Sequence, residues 1–184
     1  MRGKARAVEW PTLALLVVTY AAWALATTIL WAWSPTLAVL LAAVAVAQHS
    51  SLQHEVLHGH PFRNPHLNHA LVFLPIGLFY PNLRFRDTHL AHHHDPNLTD
   101  PYDDPESNFQ DPAVWARTPG PVKALMRANN TLLGRMLLGP AIGCVQFYRG
   151  DLRAIRAGNG AIRLAYGLHA AGLVVLALWW WVGP

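Results

Sequence analysis

For 56 consecutive residues, Ala7 to Phe62, the chain carries no lysine and no arginine. Its fourteen basic residues fall elsewhere: Arg2, Lys4 and Arg6, then Arg63 to Arg156, then Arg163, with none after that. A net charge of +4 and a pI near 9.6 could point to nucleic acid. A nucleic-acid surface gives no reason for the gap, whereas a chain that crosses a bilayer does, so no nucleic-acid partner is expected. Composition agrees: 53% of residues are hydrophobic, only 13% are charged, and eight are Trp. A length of 184 residues is one domain, read here as 1–184. The single Cys144 excludes an internal disulfide.

Length tests the membrane reading. Thr12 to Trp33 is free of formal charge and as a helix reaches about 33 Å, enough for a hydrocarbon core. Ser34-Pro35 breaks the run, and a second helix turns polar only from Gln48. A third apolar run covers Leu164 to Gly183. The expected fold class is all-α, an integral membrane helical bundle with spans at about 12–33, 36–58 and 164–183. With the N-terminus inside, every Lys and Arg lies on the cytoplasmic side, as the positive-inside bias requires. Trp31, Trp33 and Trp179 to Trp181 then reach the outer interface and Trp10 the inner one. Ala24-Leu25-Ala26 resembles a signal-peptide cleavage site, but the apolar run exceeds the h-region of about 7–15 residues.

Residues 59–162 form the cytoplasmic segment in this topology. Leu67 to Tyr80 is apolar, too short to span, and interrupted by Pro75 and Gly77, so it reads as re-entrant or interfacial. Asp95 to Ser107, rich in Asp-Pro steps, reads as a turn-rich loop. From Pro121 to Arg156 apolar residues recur at helical spacing among Lys123, Arg127, Arg135, Arg149, Arg153 and Arg156. Such helices suit an inner leaflet, and suit equally a packing role on the protein's own core.

The eleven histidines are clustered. His49, His54, His58, His60, His66 and His69 gather in and after the inner end of the second span, and His89, His92, His93 and His94 beyond the re-entrant run. Only His169 stands apart, and it reads as a hydrogen-bonded residue inside the third span. His54 and His58 share a helix face, as do His89, His92 and His93 at i, i+3 and i+4. Imidazole shells suit iron, zinc or copper. Five donors exceed what one catalytic zinc accepts, and more than four meeting in one place point to two metals. His49, His60, His66 and His69 are expected chiefly as polar anchors or caps.

H-x-x-x-H at the end of the second span (His54, His58) followed by H-x-x-H-H (His89, His92, His93) resembles the membrane fatty acid desaturases, integral di-iron enzymes related to hydroxylases and carotenoid ketolases. "RNPHLN" (Arg63 to Asn68) and "RDTHLAHHHDPNLTDPYDDPES" (Arg86 to Ser107) are similar to bacterial members, which implies a multi-pass protein of a bacterial inner membrane. The resemblance implies two irons on His54, His58, His89, His92 and His93, and O2-dependent hydrogen abstraction from a lipid or fatty acyl chain. It also implies electrons from a ferredoxin or cytochrome b5-like protein, for which the basic helices offer a docking face. Asp87, Asp95, Asp100, Asp103 and Asp104 could orient ligand imidazoles, although most suit a solvated turn-forming loop better. The family carries a third histidine box after a fourth span, and this chain ends at Pro184. The expectation is a fragment, inactive by itself; a degenerate member or a site shared between chains are the alternatives.

H-E-x-x-H (His54, Glu55, His58) also spells an intramembrane zinc metallopeptidase with Glu55 as general base. That reading needs a third ligand and leaves the second cluster mostly idle. A non-catalytic metal-binding remnant is the non-enzymatic alternative. Within the di-iron class, histidine spacing separates neither desaturase from hydroxylase or ketolase, nor one acyl substrate from another.

Overall fold

The computed structural model describes residues 8–94, 96, 97, 99–102, 107 and 109–182. Among them every regular element is an α-helix, and the one β pairing is an isolated antiparallel bridge between Val8 and Phe62. Three helical stretches are long and apolar enough to cross a membrane: Trp10–Trp33, Pro35–Leu57 and Gly160–Val182. The chain is thus the all-α membrane bundle that the charge pattern predicts. Its contacts divide it into two compact units, 1–86 with 165–184, and 87–164.

In the first unit the opening span is two helices, α1 (Trp10–Thr27) and α2 (Ile29–Trp33). The hydroxyls of Thr27 and Thr28 bond back to the Trp23 and Ala24 carbonyls, competition that loosens a helix at such a site. Ser34 then caps α3 (Pro35–Leu57), its hydroxyl accepting from Leu37 N with Pro35 at the first turn, and Gly59 at φ +92° ends it. Next comes α4 (Pro65–Leu71), whose cap Asn64 accepts from His66 N. The helix α5 (Asn82–His94) starts after Pro81. α1 lies along α3. The spans expose large apolar side chains such as Leu15, Val39 and Val174, as lipid-facing helices do.

Residues 72–81 between α4 and α5 are not helical, yet Val72, Ile76 and Pro81 are buried. Val72 packs with Leu16, Leu52 and Val56, and Ile76 packs with Trp23, Ala45 and Leu176. The partners of Ile76 lie near the middle of the first two spans and deep in the last, so the apolar run that sequence marks as too short to cross is folded in among the spans. Backbone of this kind is tolerated at membrane depth only where protein satisfies its polar groups. Tyr20 donates its hydroxyl hydrogen to Leu71 O (2.7 Å). Gln53 Nε2 (3.2 Å) and Asn82 Nδ2 (3.0 Å) both donate to Val72 O. His169 Nε2 donates to Leu78 O at 2.9 Å, beside the positive φ of Leu78 (65°). His169 therefore has the structural, hydrogen-bonded role that its position predicts.

The turn from α3 to α4 is held from two sides. Asn68, 1% exposed, accepts from Phe62 N at 2.8 Å and donates to Phe62 O at 2.7 Å, serving both backbone groups of one residue. From the other side Glu9 N donates to Pro61 O (2.9 Å), and the Glu9 carboxylate sits 2.7 Å from His60 Nδ1.

The second unit contains the rest of α5 from Asp87 onward, α6 (Pro112–Arg117), α7 (Gly120–Asn129), α8 (Leu132–Leu137) and α9 (Gly139–Arg156), and the first turn of α10 (Gly160–Val182). Asp111 caps α6 by accepting from Ala113 N and Val114 N, and these donors hold its carboxyl below the usual carboxylate range. Its hydrogen bond to Tyr102 pushes that phenol up. Thr131 caps α8 through Gly134 N, and a Cβ at Gly134 would lie 1.8 Å from Ala128 O, so this corner admits only glycine. Gly158 (φ +95°) terminates α9, and Asn159 caps α10 by accepting from Ile162 N. This cap starts the third span at Gly160, four residues before the boundary read from hydropathy alone.

Three substitutions test this packing. A Cβ at Gly172 would stand 2.7 Å from Pro75 Cδ, whereas one at Gly167 on the same helix meets nothing within 4 Å. Gly172→Ala is expected to lower the thermal midpoint in detergent, the clash offsetting a helix-propensity gain of about 1 kcal/mol, and Gly167→Ala to hold or raise it. Equal behaviour of the two variants would show that Pro75 does not seat on α10. Asn68→Ala strands two backbone groups and should cost about 2 kcal/mol or more in a denaturant titration.

Candidate metal centre

α3 carries the first histidine pair at its end: His54 lies in the last turn and His58 is the C-cap residue, at φ −86° and ψ 8°. His58 has left α-helical geometry, yet the two rings stay close together. Their Nε2 atoms stand 3.4 Å apart and their centroids 4.7 Å apart. Glu55 lies on the other side of the first ring, its Oε1 3.7 Å from His54 Nδ1. Both side chains of that contact are about half exposed, so it contributes little to stability.

The second group lies in the last turns of α5. His89, buried to 7% exposure, and His93 bring their Nε2 atoms to 2.9 Å, with centroids 4.5 Å apart and rings nearly perpendicular. His92 stands further off, 6.4 Å from His89 and 5.8 Å from His93 between centroids. His94 turns back on its own helix, its Nδ1 donating to Leu90 O.

Two nitrogens that share one ion at about 2.1 Å stand about 3.0 to 3.4 Å apart for bond angles of about 90 to 109 degrees. The separations in both pairs match that spacing, and each pair is suited to hold a metal ion. A direct Nε2–H···Nε2 bond is the alternative within each pair, and it requires one ring to give up its lone pair. Neutral imidazole ligates iron, zinc and copper alike, so the donor set is compatible with iron without selecting it.

The remaining histidines are placed differently. His49, 2% exposed, meets Tyr20 at 3.0 Å through Nε2, with the rings edge to face. Since the Tyr20 hydroxyl hydrogen goes to Leu71 O, the His49 Nε2–H must be the donor to the phenol oxygen. His60 pairs with Glu9, and His66 is exposed on α4. Asp100 accepts from Tyr102 N at 2.8 Å, a turn-forming role. Asp87 lies on α5 two residues before His89. Asp95, Asp103 and Asp104 lie outside the described residues.

Sequence reasoning missed Glu9, Tyr20, Gln53, Asn68 and Asn82, which hold the segments that carry the histidines. For Tyr20 and Gln53 the available signal was a polar group inside an apolar span, which must find a partner there. Glu9 and Asn68 gave no signal short of the folded turn.

No curated protein and no solved structure matches the chain. The fatty acid desaturase family is matched over residues 30–184, a stretch that contains both histidine groups, the second and third spans and the helices between them. The chain belongs to the fatty acid desaturase family.

Proposed function

We propose that this chain supplies the histidine-bearing part of an O2-dependent lipid desaturase, with His54, His58, His89, His92 and His93 as ligands of a di-iron centre. The observation that carries the reading is the pairing of Nε2 atoms at 3.4 and 2.9 Å on α3 and α5, in a chain of the desaturase family. The two groups are proposed to close on one centre, and its iron would supply the oxygen activation that removes hydrogen from an unactivated C–H bond. The overall reaction balances as an acyl CH2–CH2 unit, O2, two electrons and two protons giving a CH=CH unit and two waters. A ferredoxin or cytochrome b5-like protein would deliver the electrons. Hydroxylation or ketolation begins with the same abstraction and is the close alternative.

The chain's own residues have definite tasks in this scheme. The face shared by His54 and His58 presents two lone pairs, provided that both rings keep their proton on Nδ1. Glu55, beside His54 Nδ1, favours that tautomer, so its role is to orient a ligand. The clamp of Glu9 and Asn68 on residues 60–62 fixes the turn that follows His58. The re-entrant segment, tied to Tyr20, Gln53, Asn82 and His169, sets where α5 begins. Five imidazoles are fewer donors than two octahedral irons take, so further ligands are proposed to come from outside these 184 residues. The chain by itself should then desaturate nothing. The histidines are proposed to face the cytoplasm, where all the basic residues gather.

Glu55 also bears on the zinc-peptidase alternative. A general base must reach a water held on the Nε2 side of the pair, and this carboxylate stands at the Nδ1 side.

Iron-loaded chain in detergent under anaerobic conditions should show imidazole nitrogens at about 2.1 Å in X-ray absorption, and His58→Ala or His93→Ala should each lower iron affinity at least about tenfold. An oxygen-only shell would contradict the reading. So would peptide hydrolysis by the zinc-loaded chain that Glu55→Gln abolishes.

A further inference from the structure

Later in the second unit than its histidines, α6 to α9 and the residues just before α6 line a pocket of about 320 Å³. Trp115, Asn129, Arg135, Ile142 and Gln146 are among its lining. The pocket combines an exposed, unneutralised cation with a buried acceptor that lacks a partner. Among the described residues the Arg135 guanidinium has no ion pair or hydrogen bond. Asn129 Oδ1 is buried without a hydrogen-bond partner. An anion answers the first, and an N–H or O–H donor answers the second. A ligand that satisfies both carries a negative group with a hydrogen-bond donor a few atoms away. Lys123 and Arg127 stand over the Trp115 ring at 5.7 and 5.8 Å, which adds positive charge to this region.

The surroundings say where such a ligand comes from. Arg135 sits in α8 among Leu132, Leu133, Met136 and Leu137, which are 66 to 78% exposed. Four adjacent apolar side chains around one guanidinium are the pattern of a helix that enters the headgroup layer of a bilayer. The spanning helix α10 begins at Gly160, with three residues between it and the end of α9 at Arg156.

We propose that the α7–α9 pocket binds the headgroup of a glycerophospholipid, with its phosphate on Arg135 and its headgroup N–H or O–H on Asn129 Oδ1, while Leu132, Leu133, Met136 and Leu137 lie among the acyl chains. Phosphatidylethanolamine and phosphatidylglycerol carry the required donor. Phosphatidylcholine carries the phosphate but no hydrogen on its nitrogen. The site is independent of the metal centre, and its test uses no metal.

The full chain is purified in detergent and lipid retention is read by native mass spectrometry with each of the three lipids in turn. Comparison with Arg135→Gln separates the pocket from lipid held along the spans. The expected result is that phosphatidylethanolamine, phosphatidylglycerol or both outlast phosphatidylcholine, and that R135Q lowers their retention about tenfold. Asn129→Leu should erase the preference while leaving phosphatidylcholine unchanged. If circular dichroism shows that this variant is unfolded, R135Q alone decides. Equal retention of the three lipids, indifference to R135Q, or a preference that survives N129L in a folded protein would overturn the proposal. Displacement of the lipid by an equal concentration of inorganic phosphate would overturn the assignment to a lipid.

Discussion

A backbone carbonyl inside a membrane protein must find a donor, and in this chain that requirement governs how the spans are put together. Residues 72–81 bring non-helical backbone among apolar helices, where each unsatisfied group costs several kcal/mol. The carbonyls of Leu71, Val72 and Leu78 are met by Tyr20 from α1, Gln53 from α3, Asn82 from α5 and His169 from α10. All three spans thus contribute to holding one short segment. The apolar contacts of Val72 and Ile76 fill the space between the same helices. The segment links α4 to α5, so the ties that satisfy its backbone also fix the start of the helix bearing His89, His92 and His93.

The histidines divide by what their nitrogens meet. Nε2 of His169 is committed to a carbonyl and Nε2 of His49 to a phenol, and each commitment fixes a proton on that nitrogen. His54 with His58, and His89 with His93, instead turn like atoms toward each other. Two identical nitrogens at such distances are poorly placed for one another unless a proton or an ion lies between them. That contrast, more than the number of histidines, separates the positions proposed as metal ligands from the structural ones.

Much of this was legible in the chain. The gap in basic residues and the apolar runs located three spans, because desolvation of charge is too costly to disguise. The i, i+4 spacing located both histidine pairs, because helical geometry decides which side chains share a face. The break at Thr28 was not legible, since it depends on hydroxyls folding back on carbonyls that a continuous helix would also leave within reach. The roles of Asn68 and Glu9 were not legible either. Each serves a backbone group distant in sequence, and nothing in an isolated Asn or Glu names its partner. His49 was expected chiefly as a polar anchor or cap, and the Tyr20 contact shows which partner its nitrogen takes.

The central claim is that the α3 and α5 pairs belong to one centre. Iron stoichiometry in two double variants, His54→Ala/His58→Ala and His89→Ala/His93→Ala, measured against the unmodified chain at the same iron activity, tests it most directly. A shared centre predicts that either double variant loses essentially all tightly held iron, because neither pair alone supplies enough donors. Loss of about half the iron in each variant, with the other pair still loaded, would mean two separate sites and would contradict the account.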